Sequence, residues 1–402
     1  MTRTLLQGGR VFDPDGGTLD DADVVIEAGR VVEVGPGLDG DEAVDCSGRA
    51  LLPGLVDAHV HVMLDPGWMD LAARVNTPWS LPYFKSVRHL EVTLAQGITT
   101  VRDAGLADLG VKEAVDRGIV AGPRMQVAIS MLSQTGGHGD MWTVCGLHLD
   151  EMATHPVIPQ SVVDGPDEMR RRVREVIRAG ADVIKVCTSG GVLSPRDDPR
   201  HGHFRDSELA VLAEEAEAAG VPWMAHAAAT DGIKAAVRNG VRSIEHGIFL
   251  DDDAIGMMLE RGTWLVPTLM APRAVLSARD LGIPVPDVFI EKAEMVVDVH
   301  RKSFRQAVAA GVPVAMGTDS GVSPHGRNLE ELALMVEGGM TPAQALHAAT
   351  RSAARLLRLD DEIGALEPGK RADVVVVDGD PLDVATLGSR IAEVWQDGRR
   401  VV

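Results

Sequence analysis

Leu51-Leu52-Pro53-Gly54-Leu55-Val56-Asp57-Ala58-His59-Val60-His61-Val62 reads as a buried strand that ends in two histidines one residue apart. Side chains on a strand alternate faces, so His59 and His61 project from the same side toward one point. Neutral imidazoles are the commonest ligands of zinc-type ions, and a convergent pair supplies half a site. An isolated pair of this kind could equally be two half-buried histidines. The reading turns on whether other strands end in ligands at the same rim.

Outward from this stretch, apolar runs recur at Gly54–Val60, Ile98–Asp103, Met125–Ser130, Asp182–Cys187, Pro222–His226, Val241–His246, Thr263–Pro267 and Pro313–Thr318. Helical periodicity fills several of the gaps, at Glu168–Ala179, Ser207–Ala219, Asp231–Asn239 and Lys292–Ala310. Strands alternating with helices form parallel sheets, and eight such units close a (β/α)8 TIM barrel. Two connections, residues 61–97 and 131–167, are long enough to build pocket walls at the C-terminal face. Residues 1 to about 50 instead show short strands separated by Gly8-Gly9, Pro14-Asp15-Gly16-Gly17 and Ala28-Gly29 turns. Arg371–Asp378 and the hairpin around Asp397-Gly398 repeat that rhythm at the other end. The expected organisation is an α/β chain: a β-sandwich built from both termini (1–52 and 361–402) around a barrel at 53–360.

Composition narrows the partners. The net charge is −20, from 59 acidic and 39 basic residues, and no basic run offsets it, so a nucleic-acid partner is not expected. Aromatic residues make up 3% of the chain, with Tyr83 the single tyrosine, so the core has to be aliphatic. Cys46, Cys145 and Cys187 are few and widely spaced, which fits a reducing compartment rather than a disulfide framework. No signal-type h-region opens the sequence and no run of about 18 apolar residues occurs. A cytoplasmic protein with a small-molecule substrate, no membrane and a homo-oligomeric assembly is the expectation.

The other strand ends decide the chemistry. Lys185 sits inside the apolar run Asp182–Cys187, where a lysine is costly unless paired or modified. The fifth run ends in His226, the sixth in His246, and Asp319 follows the eighth. With His59 and His61, six ligand-type residues fall at C-terminal strand ends, the face that carries catalysis in barrels. One such residue could be a satisfied core polar group; six on one rim indicate a metal site.

These residues lie in segments that resemble the amidohydrolase superfamily, in its imidazolonepropionase-like branch of Xaa-Pro dipeptidases (prolidases) and arginine carboxypeptidases. The matching segments include Pro53–His61, Gly97–Gly105, Ile184–Val192, Ile244–Gly247, Gly317–Gly321, His325–Leu332, Leu346–Thr350 and Gly364–Asp373. The resemblance implies two divalent metal ions, usually zinc, bridged by an N6-carboxylysine at Lys185. His59, His61 and Asp319 would hold the more buried ion, and His226 and His246 the other. It implies hydrolysis of an amide-type C–N bond by metal-hydroxide attack, with Asp319 as general base and acid. Arg102 and Asp103 are expected to brace the ligands. His138, in Gly136-Gly137-His138-Gly139, is similar to a substrate-binding histidine that polarises the carbonyl or holds a carboxylate. His325 is a second substrate-binding candidate. His201 and His203 are read as a solvated loop, and Cys187 as a structural thiol.

One departure bears on specificity. Dipeptidase relatives often carry a tyrosine or histidine soon after the strand-five histidine as a grip on the substrate carboxylate, whereas this chain has His226-Ala227-Ala228-Ala229-Thr230. The expected substrate is an N-acyl amino acid or Xaa-Pro-like dipeptide. An uncharged or xenobiotic amide, carbamate, urea or lactone is the alternative. A catalytically silent barrel scaffold is the non-enzymatic reading, disfavoured because all six ligand positions are filled. A phosphate-binding aldolase-type barrel fits less well, because Asp319 stands where a phosphate would sit.

Overall fold

The computed structural model describes residues 2–148 and 155–402. The two ends of the chain meet in one mixed sheet. Strands Thr4–Asp13, Thr18–Glu27, Arg30–Gly35, Glu42–Asp45 and Arg49–Pro53 come from the front, and Val374–Asp378, Ile391–Gln396 and Arg399–Arg400 from the tail. Val374–Asp378 runs antiparallel to Arg49–Pro53, and a further bridge from Arg30 to Arg371 curls the sheet back upon itself. Its halves sandwich Leu6, Val24, Ile26, Val31, Leu51, Val374, Val376 and Trp395.

The valine run 374–377 explains how the sandwich is fastened to the barrel. Val374 and Val376 face the sandwich core, while Val375 and Val377 pack into the barrel's main cluster. A strand with a core on each face is apolar at every position, whereas a half-solvated one alternates with polar residues.

Seven barrel staves are parallel strands: Leu55–Val60, Ile98–Asp103, Arg124–Val127, Ile184–Cys187, Trp223–Ala227, Ser243–His246 and Trp264–Val266. The third runs shorter than the sequence suggests. It stops at Val127, turns at Ile129 (φ 65°), and resumes as Met131–Leu132 beside Lys185–Val186.

The eighth stave differs from the continuous strand expected at Pro313–Thr318. It closes the barrel by Leu265 N–H to Pro313 O (2.9 Å), Ala315 N–H to Leu265 O (3.0 Å) and Ala58 N–H to Met316 O (2.8 Å), with isolated bridges in place of a ladder. The buried Asp57 carboxylate accepts the amides of both His59 and Thr318, and the Thr318 amide also reaches the His59 carbonyl (3.2 Å). Gly317 lies so close to the first stave that a Cβ there would sit 2.9 Å from the His59 Cβ.

Helices Pro166–Arg178, Asp206–Ala218, Thr230–Arg238 and Asp287–Ala310 occupy the four segments in which helical periodicity was read. Of the two long connections, 61–97 folds into helices Leu71–Asn76 and Leu81–Leu94, and the 149–154 portion of 131–167 lies outside the described residues. Among the described residues, no helix is long and apolar enough to cross a membrane.

Candidate metal centre

The barrel brings the strand-end residues together. His59 and His61 Nε2 lie 3.5 and 3.3 Å from Asp319 Oδ1, and the imidazole rings of His59 and His246 are 5.2 Å apart between centroids. The His226 ring is 4.6 Å from that of His246. Among the described residues, His59, His61 and Asp319 offer three donor atoms within 4.8 Å of one another. His246 (φ 71°) and Asp319 (φ 57°) both adopt left-handed backbone, an uncommon state that concentrates at functional sites. At His246 this turn breaks the alternation of the strand, so the neighbouring Glu245 and His246 both reach the barrel interior.

Each histidine has one ring nitrogen engaged and the other left for a cation. His59 Nδ1 donates to Glu245 Oε2 (2.7 Å) and His61 Nδ1 to the Gly105 carbonyl (3.1 Å). His246 Nδ1 meets Thr268 Oγ1 (2.6 Å), and His226 uses Nε2 toward the Gly190 carbonyl (3.2 Å). The carboxylate and carbonyl partners fix the tautomer and aim the opposite lone pair, the arrangement of ligating histidines. Burial holds His59, His226 and His246 well below their ordinary pKa, so they stay neutral. Burial presses on His61 too, but the Asp319 carboxylate outweighs it and raises the pKa. Asp319 itself, despite its burial, is kept ionised by His61, His59 and Lys185. Lone pairs facing a carboxylate repel unless a cation or a proton lies between them.

Lys185 is 1% exposed, and its Nζ has no hydrogen-bond partner among the described residues. Burial lowers its pKa. An orphaned buried amine among histidines and carboxylates is expensive as it stands. The donor set therefore fits a metal centre, and it fits a lysine modified to an anion.

The bracing network extends beyond the Arg102 and Asp103 of the sequence reading. Glu245 lies inside the Ile244–Gly247 segment, and its carboxylate joins three groups: His59 Nδ1, Arg102 Nη2 (3.0 Å) and Ser243 Oγ (2.5 Å). Arg102 Nε also donates to the Ala58 carbonyl (2.7 Å). Asp103 accepts the amides of Val62 (2.8 Å), Gly105 (3.0 Å) and Ala107 (3.3 Å), shaping the loop whose Gly105 carbonyl holds His61. An acid inside an apolar strand next to a ligand was the available signal for Glu245.

The cavity above these residues is lined by Leu64, Trp68, Leu106, Met131, Met141 and other apolar side chains. Arg74 also lines it, with its guanidinium 5.3 Å from the centre of the Trp68 ring. His138 lies in this wall, stacked on His226 at 4.1 Å. His325 does not line it. Its Nε2 donates to the Leu64 carbonyl (2.9 Å) and its ring stacks on His89 at 4.2 Å, so it props the first long loop rather than facing the cavity. The His201–His203 reading is half corrected: His201 is exposed, but His203 is buried, its backbone amide bound to the Thr188 carbonyl. Cys187 is fully buried, and burial pushes its thiol up to about 12, which suits a structural thiol. His300, from helix Asp287–Ala310, went unnoticed in the sequence. It lines the cavity and donates through Nε2 to the His246 carbonyl (2.9 Å).

The amidohydrolase family model matches residues 50–401, the whole barrel and the tail of the sandwich. The chain belongs to the amidohydrolase family. It is a hydrolase acting on carbon–nitrogen bonds. Ochratoxinase of Aspergillus niger is 31% identical over 98% of this chain and 86% of its own length. Among solved structures, a Xaa-Pro dipeptidase with methionine bound in its active site superposes with a TM-score of 0.91 at 32% identity, covering 99% of both chains. A prolidase complexed with N-methylphosphonate-L-proline gives a TM-score of 0.92 at 36% identity, over 100% of this chain and 99% of that one. These relatives place this amidohydrolase on a prolidase-like branch.

Proposed function

We propose that this amidohydrolase is a binuclear, metal-dependent hydrolase that cleaves the amide bond of an N-acyl amino acid or dipeptide bearing a bulky apolar group. The observation that carries the reading is Lys185: a buried amine without a hydrogen-bond partner among the described residues, lining one cavity with His59, His61, His226, His246 and Asp319. A neutral lysine amine adds carbon dioxide and releases one proton, leaving an N6-carboxylate that can bridge two cations. In this reading His59, His61 and Asp319 hold one divalent ion, His226 and His246 the second, and zinc suits the nitrogen-rich donor set. When bound, such ions supply a water whose pKa falls to about 7 and polarise a scissile carbonyl. The chain's own groups do the rest. Asp319, kept ionised by its neighbours, takes a proton from the attacking water and returns it to the leaving amine. Glu245, Arg102 and Asp103 hold the ligands in register. The apolar wall around Leu64, Trp68, Leu106 and Met131 binds the acyl or side-chain group and excludes water.

The relatives' names support amide substrates that carry an amino acid. The apolar lining and the bare Ala227–Ala229 run after His226 favour a second reading, an uncharged amide, carbamate or urea. The proposed partner is in either case a small molecule. Elemental analysis, together with hydrolysis of a panel of dipeptides, N-acyl amino acids and uncharged carbamates, tests the proposal. Two metals per chain are expected, falling sharply in Lys185→Ala. A protein reconstituted with metal and bicarbonate that binds none would overturn it.

A further inference from the structure

Behind His138 runs a buried polar chain that the metal centre does not use. His138 Nδ1 lies 2.8 Å from Ser194 Oγ, and Ser194 Oγ lies 2.5 Å from Asp197 Oδ1. Asp197, whose side chain is 1% exposed, also accepts the Gly191 amide (3.0 Å) and the Lys292 ammonium (2.9 Å). Lys292 Nζ reaches two further acceptors, the carbonyls of Gly191 (3.0 Å) and Ser194 (2.5 Å). Gly191 packs so tightly against the histidine that a Cβ there would sit 2.3 Å from its Cε1 and Nδ1.

Counting hydrogens gives this chain a direction. An ammonium has three hydrogens and no lone pair, and Lys292 faces three acceptors, so each takes one. The Asp197 carboxylate beside it accepts only. Ser194 has a single hydroxyl hydrogen, and its choices are the carboxylate at 2.5 Å or the Gly191 carbonyl at 3.4 Å. The short, charge-assisted bond takes it. The Ser194 oxygen then has only lone pairs to offer His138, so the Nδ1 side of the ring must carry the hydrogen.

We propose that Ser194, Asp197 and Lys292 are positioning residues that fix the His138 ring with its Nδ1–H on Ser194, so that Nε2 is the nitrogen left to meet the substrate. The inference rests on the hydrolytic reading of the centre and deepens it. The same chain holds the ring flat against His226, with 4.1 Å between the ring centroids. Lys292 lies far from His138 in sequence, on helix Asp287–Ala310, so the chain ties that helix to the wall of the cavity.

The test begins with the metal-free, full-length protein labelled with 15N-histidine. The His138 signals are identified by their loss in His138→Gln, and two-bond 1H–15N couplings report which nitrogen is protonated. Wild type is expected to carry the proton on Nδ1, Ser194→Ala to shift toward Nε2, and Ser194→Thr, which keeps the hydroxyl, to restore Nδ1. With metal loaded, Ser194→Ala should lose about 10–100-fold in kcat at unchanged metal content, with recovery in Ser194→Thr. A wild-type ring with Nδ1 unprotonated, or a Ser194→Ala variant that keeps both its Nδ1 proton and its kcat, overturns the chain. A protein that shows the Nδ1 tautomer but hydrolyses nothing in the panel leaves the chain standing and refutes the hydrolytic reading instead.

Discussion

Replacing Glu245 by glutamine separates two jobs that one carboxylate performs. Glu245 is fully buried, orients His59 through Nδ1 at 2.7 Å, and neutralises Arg102, itself 3% exposed, at 3.0 Å. Glutamine keeps the volume and a carbonyl acceptor but removes the charge. Arg102 is then a buried cation stripped of its nearest counter-charge, and breaking such a pair costs about 3–5 kcal/mol. His59 retains at best a neutral acceptor, and losing an orienting carboxylate weakens metal affinity by about 10–100-fold. The double variant Arg102→Met/Glu245→Gln distinguishes the two effects. It removes the stranded cation, so most of the stability should return, while the metal deficit persists because His59 is still held by an amide. Urea denaturation of the metal-free proteins reads the first effect, and metal retention against competing chelators the second. A single variant with wild-type stability and wild-type metal affinity would refute the assignment of Glu245. A double variant that regained metal affinity would show that Arg102, not the bond to His59, was responsible.

Three further outcomes follow from the geometry. Gly191→Ala places a Cβ 2.3 Å from the His138 ring, so the ring must leave His226, and steady-state kinetics should show kcat falling while elemental analysis finds metal content unchanged. His300 is buried with its pKa lowered from 6.5 to about 4 by burial, so the unfolded chain takes up a proton that the folded one refuses. Stability of the metal-free protein should therefore fall as pH drops from 6.5 toward 4, and His300→Gln should flatten that decline by up to about 1.4 kcal/mol per pH unit in urea titrations. Tyr83 donates to Asp108 Oδ2 (3.0 Å) and accepts from His155 Nε2 (2.6 Å), linking the two long connections; Tyr83→Phe should cost about 1 kcal/mol and speed hydrogen exchange in residues 61–97. Unchanged exchange there would dismiss the link.

The sequence by itself determined the barrel, the sandwich drawn from both ends and the identity of the rim residues. These properties are local and periodic. A run such as Ile184–Cys187 is buried wherever it pairs, and its spacing alone sets Lys185 and Cys187 on one face. His59 and His61 converge for the same reason. Tertiary structure decided whatever depends on backbone departing from the period or on groups distant in the chain. The left-handed turn at His246 puts Glu245 inside the barrel, where simple alternation would have turned the two residues opposite ways. Pro313–Thr318 closes the barrel through isolated contacts, with the Asp57 carboxylate bound to the amides of His59 and Thr318 between the two staves. His325 looked like a substrate contact because it stands in a loop beyond the eighth stave, but the Leu64 carbonyl, 261 positions away, captures its ring. Ser194, Asp197 and Lys292 carry no motif linking them to His138. Only the folded chain brings a helix lysine within 2.9 Å of an aspartate 95 positions earlier, and hydrogen bonding then gives the cluster its direction.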